Sequence, residues 1–517
     1  MSAPLRAAGA ALTALALTVA GCSSDAEPRG DAREGGSIVV AEAVAPDSLD
    51  PALASSPAAR RTAWLAYTPP LTYGRVEGKG GTELVPALTE QLPEASDDGR
   101  TYTFVLRPGL RYANGVPLRA GDFERAVARS LRLNPRAAAA FGDIVGARAY
   151  AASKDSDVDI EGMVADERER SVRIELETPD RLFPYALATT LAAPVPIGTP
   201  LRDLSEDPPP GIGPYRVSQV RRSGDVVLER RPDWRLAGVP AGNAQEIVTR
   251  TIPDRAERVR AVLDGRADLV EGESPLRMLP DIRSKYKDRY EEYPTLRSLY
   301  VAIHARRAPF RDADVRRALA FALDSGTLAR TYDGFLEPSC NVLPPEVAGY
   351  RRLDPCPYGE RVGNADLVEA SRLVEEAEAG GVPVTVADGR DRRGRRIARY
   401  LAGTLRKIGL RARVTPAPGA QVAFRIANPV VPHPSGYLRA VDDPVLRARV
   451  DLLEQEADAT DAEQEWADVD AEVVKRAYVA PYGVATAGVL ASRRLDMENC
   501  GRFHPVVGMD YSSVCVR

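Results

Sequence analysis

A strand, a proline turn and an amphipathic helix follow one another between residues 299 and 324. Alternating apolar side chains predict the strand, and Pro309 ends it. Beyond the turn, where Asp312 or Asp314 can cap a helix, apolar residues recur with helical spacing. These residues are Val315, Ala318, Leu319, Ala322 and Leu323. A strand that leads into an amphipathic helix predicts the α/β class.

The size and charge of the chain narrow its architecture and its partners. Its 517 residues are too many for one simple core and predict two or three lobes. The formal net charge of −4 argues against nucleic acid as a partner.

Residues 1–21 carry a positive charge, an apolar run and small residues before a cysteine. Arg6 supplies the charge, and the apolar run 10–20 is too short to span a bilayer as a helix. The ending VAGC resembles the lipobox of bacterial lipoproteins, which implies cleavage before Cys22 and lipid attachment to its thiol. The competing interpretation is an ordinary secretory signal followed by a chance cysteine. Residues 22–35 are polar and predict a flexible tether.

Three apolar stripes predict helices in the carboxyl-terminal half of the chain. They cover residues 364–379, 395–408 and 444–475. The first ends at Gly380–Gly381, and the second ends at Gly409. The third is rich in acidic residues on its polar side, which is typical of a solvated helix face.

Five blocks with fixed internal spacing occur in order along the chain. They are residues 48–51 (SLDP), 97–122 (with DDG and TYTF), 211–217 (GIGPYRV), 264–269 (DGRADL) and 309–324 (PFRDADVRRALAFALD). Together they resemble the family 5 solute-binding proteins, the oligopeptide- and dipeptide-type receptors of ABC importers. The resemblance covers roughly residues 35–485. His304 departs from it, since the family has an asparagine there.

The resemblance implies an α/β, two-lobed periplasmic-binding-protein-like fold of type II, cluster C-like, with an extra subdomain inserted in lobe one. By analogy, lobe one comprises residues 36–60, 195–270 and 483–517, and lobe two comprises residues 271–482. The inserted subdomain comprises residues 61–194. Two crossing segments would join the lobes, which would close over a ligand by a hinge motion.

The function that the resemblance implies is capture of a small or peptide-like ligand in the interlobe cleft. A monomeric, lipid-anchored receptor on the outer face of the cytoplasmic membrane would deliver this ligand to an ABC permease and its ATPase. The alternative is a receptor-like surface lipoprotein with a structural or signalling role and no transport.

Local signatures of catalysis or metal binding are missing from the sequence. The three histidines have no metal-ligand spacing, and HExxH, GxSxG, a P-loop and a GxGxxG after a strand do not occur. With the family resemblance, this predicts a binding protein that is not an enzyme and that has no metal or cofactor.

The segment 424–437 bears on the ligand. In peptide receptors of the family an aspartate in this segment binds the amino group of the peptide. Here the segment contains no carboxylate, and Val430 stands about where the aspartate would be. A buried ammonium group would lack its partner, which argues against a peptide. The stretch 415–420 is also short, which predicts that lobe two is trimmed near the cleft.

Seven residues are candidates for ligand contact by analogy with the family. They are Ser55, Ser56, Tyr67, Asp388, Arg390, His433 and Tyr437. In dipeptide-type members an arginine ahead of the helix that corresponds to residues 395–408 binds the peptide carboxylate. Asp388 and Arg390 lie in that neighbourhood. For each candidate the competing interpretation is a solvated loop residue or a core aromatic residue.

Four cysteines remain after Cys22, and they allow three pairings. The close pairs, Cys340 with Cys356 and Cys500 with Cys515, would each close a short loop. An exported chain lies in an oxidising compartment, which favours disulfides. A four-cysteine metal site is the rival interpretation, but no CxxC spacing supports it.

Overall fold

The computed structural model describes residues 35–96, 98–153, 159–359, 365–416, 419–429, 431–439, 441–455 and 462–517. The predicted signal peptide, the predicted lipid site at Cys22 and all but residue 35 of the predicted tether lie outside these residues. Val430, on which the argument against a peptide depends, also lies outside them.

The described residues form nineteen strands. In chain order they are β1 (Ser37–Glu42), β2 (Leu71–Tyr73), β3 (Leu84–Pro86), β4 (Glu94–Ala95), β5 (Thr101–Val105), β6 (Met163–Asp166), β7 (Ser171–Glu175), β8 (Tyr215–Val220), β9 (Val226–Arg230), β10 (Glu246–Thr251), β11 (Leu269–Gly272), β12 (Tyr290–Ile303), β13 (Leu336–Glu337), β14 (Pro383–Ala387), β15 (Arg411–Thr415), β16 (Val422–Ala427), β17 (Val479–Ala491), β18 (Phe503–His504) and β19 (Gly508–Met509).

Fifteen α-helices accompany these strands within the described residues. They are α1 (Pro57–Ala66), α2 (Ala120–Leu133), α3 (Ala138–Phe141), α4 (Ala147–Ala152), α5 (Phe183–Ala186), α6 (Arg255–Leu263), α7 (Leu279–Lys285), α8 (Ala313–Ala322), α9 (Ser325–Thr331), α10 (Leu367–Glu376), α11 (Arg392–Lys407), α12 (Pro434–Leu438), α13 (Pro444–Leu453), α14 (Glu463–Lys475) and α15 (Met497–Cys500).

One large sheet runs through both lobes. Its strand order is β15-β14-β16-β12-β17-β11-β1-β10-β9-β8, with β13 paired to β17. In lobe one, β1 lies parallel between β10 and β11. In lobe two, β14 lies parallel to β15 and to β16. The predicted α/β, two-lobed fold is confirmed, while the domain boundaries given above remain predictions.

Two long antiparallel strands cross between the lobes. The carboxyl end of β17 pairs with β11 of lobe one, while the carboxyl end of β12 pairs with β16 of lobe two. Their register breaks in the middle, where Pro294 lies opposite Thr486 but Ser298 lies opposite Val484. Proline donates no ladder hydrogen bond, and extra residues on one strand bend it. We call residues 295–297 the hinge bulge.

A separate four-stranded sheet, with the order β4-β5-β7-β6, packs with α2 around its own hydrophobic core. A buried ion pair ties this subdomain to lobe one. Arg129 of α2 donates to the carboxylate of Asp50, which belongs to the SLDP block. Asp50 also accepts hydrogen bonds of 3.1 Å from the backbone N–H groups of Ala52 and Leu204. The SLDP aspartate therefore joins three segments that are distant in sequence.

Both close cysteine pairs are joined as disulfides. The Cα atoms lie 5.9 Å apart in Cys340–Cys356 and 5.6 Å apart in Cys500–Cys515. Within the residues that the structure describes, none of the helices has the length and apolar character needed to cross a membrane. Across the same residues, no group of three or more histidine, cysteine, aspartate or glutamate side chains could hold a metal ion.

Candidate ligand cleft between the lobes

Loops at the carboxyl ends of parallel strands from the two lobes meet each other. Glu273 directly follows β11, which pairs with β1 of lobe one, so we assign Glu273 to lobe one although the predicted boundary lies at residue 270. Arg393 lies in the first turn of α11, which follows β14 in lobe two. In parallel sheets, ligands bind outside the carboxyl ends of the strands. The place where these two loops meet is therefore the candidate ligand cleft.

An ion cluster bridges the lobes in this cleft. Arg393 donates through Nη1 to Glu273 Oε1 at 2.9 Å and through Nη2 to Glu273 Oε2 at 2.7 Å. Nη2 of Arg393 also donates to Asp333 Oδ2 of lobe two at 3.0 Å. Arg255 of α6 reaches Glu273 at 3.1 Å, and the guanidinium of Arg393 lies over the ring of Tyr332. We call Arg255, Glu273, Asp333 and Arg393 the interlobe ion cluster.

The charge state of Glu273 follows from two opposed effects. Burial alone would raise the pKa of its carboxyl group. The hydrogen bond from Arg393, and then the charges of Arg393 and Arg255, outweigh burial and lower that pKa. Hydrogen bonding by Glu273 raises the pKa of the Arg393 guanidinium. Both partners are therefore charged at neutral pH, as a bidentate pair requires.

A second ion group lies at the carboxyl end of β1. Arg61 of α1 donates to Glu42 at 3.0 and 2.6 Å and lies 3.8 Å from Glu271. Tyr511 donates its hydroxyl to Glu42 at 2.8 Å. Burial raises the pKa of Glu271, and the charges of Arg61 and, more weakly, of Arg297 in the hinge bulge offset only part of that rise. Among the described residues, no carboxylate lies within 4.0 Å of the Arg297 guanidinium, so this cation has no direct ion-pair partner there.

Ser55 and Ser56 form the turn that starts α1. The carboxylate of Asp47 accepts the backbone N–H groups of both serines. The hydroxyl of Ser56 accepts the N–H of Ala59 and caps the helix. Burial opposes ionisation of Asp47, but the hydrogen bonds that its carboxylate accepts, first from the Ser55 hydroxyl and then from the two serine N–H groups, lower its pKa to about 2. The structure therefore gives Ser56 a capping role, and its ligand role stays a prediction.

Tyr67 is buried at the junction of lobe one and the subdomain. Its hydroxyl donates to the carbonyl of Pro209 at 2.8 Å. With Asn114, Pro208 and Arg216 it lines a cavity of about 320 Å³. The other six candidate residues do not line this cavity. The structure thus places Tyr67 in a separate recess.

Asp388 and Arg390 are exposed in the loop between β14 and α11. The backbone N–H of Asp388 donates to Thr415, while Asp391 caps α11. The arginine that crosses to lobe one is Arg393, three positions beyond Arg390. Sequence analysis did not name Arg393, because the cap at Asp391 sets which side chain of the first turn faces lobe one. The ligand roles of Asp388 and Arg390 stay predictions.

His433 caps the amino end of α12, Tyr437 lies within that helix, and both are buried. The ring of His433 lies edge-on to Trp466 of lobe two, at 5.4 Å, and to Tyr185 of the subdomain, at 5.9 Å. Tyr437 donates its hydroxyl to the carbonyl of Leu296 in the hinge bulge at 2.8 Å. The two residues therefore connect α12 to the subdomain and to the hinge.

Comparison with known proteins agrees with this architecture. Residues 83–433 match the family model described as bacterial extracellular solute-binding proteins, family 5 Middle. A probable D,D-dipeptide-binding periplasmic protein (DdpA) of Escherichia coli is 24% identical over 56% of this chain and 53% of its own length. A probable deoxycholate-binding periplasmic protein (YgiS) of the same organism is 28% identical over 53% of this chain and 51% of its own length. The chain spans about half the length of these curated relatives.

Among solved structures, the oligopeptide binding protein 2 of clavulanic acid biosynthesis has the same fold. It superposes with a TM-score of 0.79 at 22% sequence identity and covers 94% of this chain and 96% of its own. At this identity the likeness concerns the fold alone.

Proposed function

We propose, since the chain belongs to family 5 of the bacterial extracellular solute-binding proteins, that it captures a small ligand between its lobes and delivers it to an ABC import permease. The observation that carries this proposal is the arrangement of the cleft. Strand ends of two lobes meet at the interlobe ion cluster. Among the described residues, two long strands with a broken register connect the large sheet across the hinge bulge. Such a connection lets the lobes separate and close around a solute.

The receptor acts outside the cytoplasmic membrane as a monomer held by a lipid. The VAGC pattern before Ser23 supports attachment at Cys22. Labelled palmitate should therefore be incorporated into the wild-type chain in cells and should be absent from the Cys22→Ala variant. Equal labelling of both chains would contradict the anchor but leave solute binding untouched.

The relatives are named for ligands of different classes, one for a D,D-dipeptide and another for deoxycholate. The cleft offers polar contacts from the interlobe ion cluster and from Arg297, which has no carboxylate partner among the described residues. Specificity in a shared fold depends on such side chains rather than on the fold itself.

A thermal-shift screen of the mature chain tests the proposal. Pools of peptides, amines, sugars and metal chelates are added, since a ligand that binds only the folded chain raises its melting temperature. We expect one pool to raise the melting temperature. The chain with that pool should also have a smaller radius of gyration in X-ray scattering than the ligand-free chain. No shift from any pool would contradict solute capture and favour a surface lipoprotein without a transport role.

A further inference from the structure

Glu346 has a buried carboxylate oxygen that lacks a partner. The residue is 9% exposed, and no hydrogen-bond donor among the described residues reaches its Oε2 atom. A buried polar oxygen without a partner is rare in native structures, and a buried carboxylate without a cation is costly. A group that joins the folded chain from outside could supply the contact that this oxygen lacks.

The position of Glu346 gives such a group a route of access. Its backbone carbonyl accepts a hydrogen bond of 2.8 Å from the hydroxyl of Thr82, which lies between β2 and β3, outside lobe two. Lys79 of the same β2–β3 turn pairs with Glu463 of α14. Glu346 thus lies where lobe two meets the rest of the molecule, and separation of the lobes would uncover it.

The surroundings of Glu346 contain hydroxyl groups and further negative charge. Burial, followed by the charge of Glu346, raises the pKa of the Tyr437 hydroxyl. Burial, followed by the charge of Glu337, raises the pKa of Glu346 itself. Several described charged groups shift the pKa values of Glu346, Tyr437 and Tyr350. The one cation among them is Arg352, which is exposed and lowers the pKa of Tyr350.

We propose that the Glu346 carboxylate binds an ammonium group of the ligand, which makes this chain a receptor for an amine. The proposal rests on the solute-binding function proposed above. Glu346 lies in the loop between the disulfide cysteines Cys340 and Cys356. In this proposal it takes the place of the acid that the segment 424–437 lacks. A carboxylate–ammonium hydrogen bond inside a closed cleft is a strong contact that an uncharged ligand cannot form.

The test compares charged and blocked amines on the mature wild-type chain and the Glu346→Gln variant. The probes are alanyl-alanine, putrescine, N-acetyl-alanyl-alanine and N,N′-diacetylputrescine, measured by calorimetry and melting temperature. We expect one amine to bind at least tenfold more tightly than its acetylated form. E346Q should weaken that amine about tenfold to a hundredfold. The ligand-free E346Q variant should melt at the same temperature as wild type or higher, because an unpaired buried acid is removed.

The control is Glu337→Gln, which removes an exposed neighbouring acid and should change binding less than about threefold. Equal binding of an amine and its acetylated form, unchanged amine binding by E346Q, or a lower melting temperature of ligand-free E346Q would each overturn the role of Glu346. Binding of a sugar or chelate alone would overturn it too, while supporting the receptor. Failure of every probe and every pool to bind wild type would overturn the solute-binding function, and this inference with it.

Discussion

Arg393 of lobe two holds Glu273 of lobe one through two parallel hydrogen bonds of 2.9 and 2.7 Å. This is the geometry with which an arginine binds the carboxylate of a ligand. Here the carboxylate belongs to the chain itself. The pair is 22% and 15% exposed, so solvent screens it only in part. It therefore contributes to holding the lobes together without a ligand.

The Glu273→Gln substitution should favour separation of the lobes. Glutamine keeps the shape of the side chain but removes the charge that pairs with Arg393 and Arg255. We expect the ratio of closed to open chain to fall about tenfold, the effect of losing a charged hydrogen bond. Small-angle scattering should then give a larger radius of gyration. The control is Glu257→Gln, which breaks an exposed pair with Arg266 within lobe one. Equal radii for wild type and E273Q would contradict the prediction.

The buried pair between Asp50 and Arg129 should be required for stability. The Asp50→Asn substitution leaves the guanidinium of Arg129 buried and unpaired, since its side chain is 1% exposed. Removing one partner of a buried pair costs about 3–5 kcal/mol of unfolding free energy. Denaturant unfolding should show this loss. The matched change Glu229→Gln, in an exposed pair with Arg216, should cost less than about 1 kcal/mol. Equal losses in the two variants would show that burial does not decide the contribution.

Local patterns predicted most of the secondary structure. The strand from Leu299 is the end of β12, the helix after Asp312 is α8, and the stripe over 395–408 corresponds to α11. The single helix predicted over 444–475 is wrong, because α13 ends at Leu453 and α14 begins at Glu463. The residues directly after α13 are Glu454 and Gln455, which are good helix formers, so local propensity carried no sign of the end of α13.

The candidate cleft was harder to predict for a physical reason. Glu273 and Arg393 are 120 positions apart, and their contact depends on how two lobes pack across a hinge. Sequence periodicity reports which face of an element is buried, but it does not report which loops meet. Ser56 illustrates the opposite case. Its position before Pro57 is a helix-cap pattern, although sequence analysis named Ser56 only as a ligand candidate.

His504 should make stability depend on pH below neutrality. Its Nε2 donates to the carbonyl of Gly74 at 2.9 Å, and its Nδ1 accepts the N–H of Val506 at 3.2 Å, so the neutral ring satisfies both contacts. Burial lowers its pKa to about 4, against 6.5 for the free side chain. The unfolded chain therefore binds the extra proton first as the pH falls. Stability from this residue is complete above pH 6.5 and is lost as the pH falls toward 4.

The measurement is the unfolding free energy of wild type and His504→Asn between pH 8 and pH 4. Asparagine can keep one donor and one acceptor but does not titrate in this range. The wild-type slope should exceed that of the variant by at most about 1.4 kcal/mol per pH unit, the value for one proton. Parallel slopes would exclude His504 as the titrating group.

The two disulfides should contribute equally to stability and unequally to binding. Their sequence separations are 16 and 15 residues, so loop closure predicts about 3 kcal/mol for each. Replacing either cysteine pair by serine should lower the unfolding free energy by that amount. Only the loop closed by Cys340 and Cys356 carries Glu346, whose position that disulfide restrains. Calorimetry with the amine bound by wild type should therefore show weaker binding for the Cys340→Ser, Cys356→Ser variant and unchanged binding for the Cys500→Ser, Cys515→Ser variant. Equal affinities would mean that the Glu346 loop keeps its position without the disulfide.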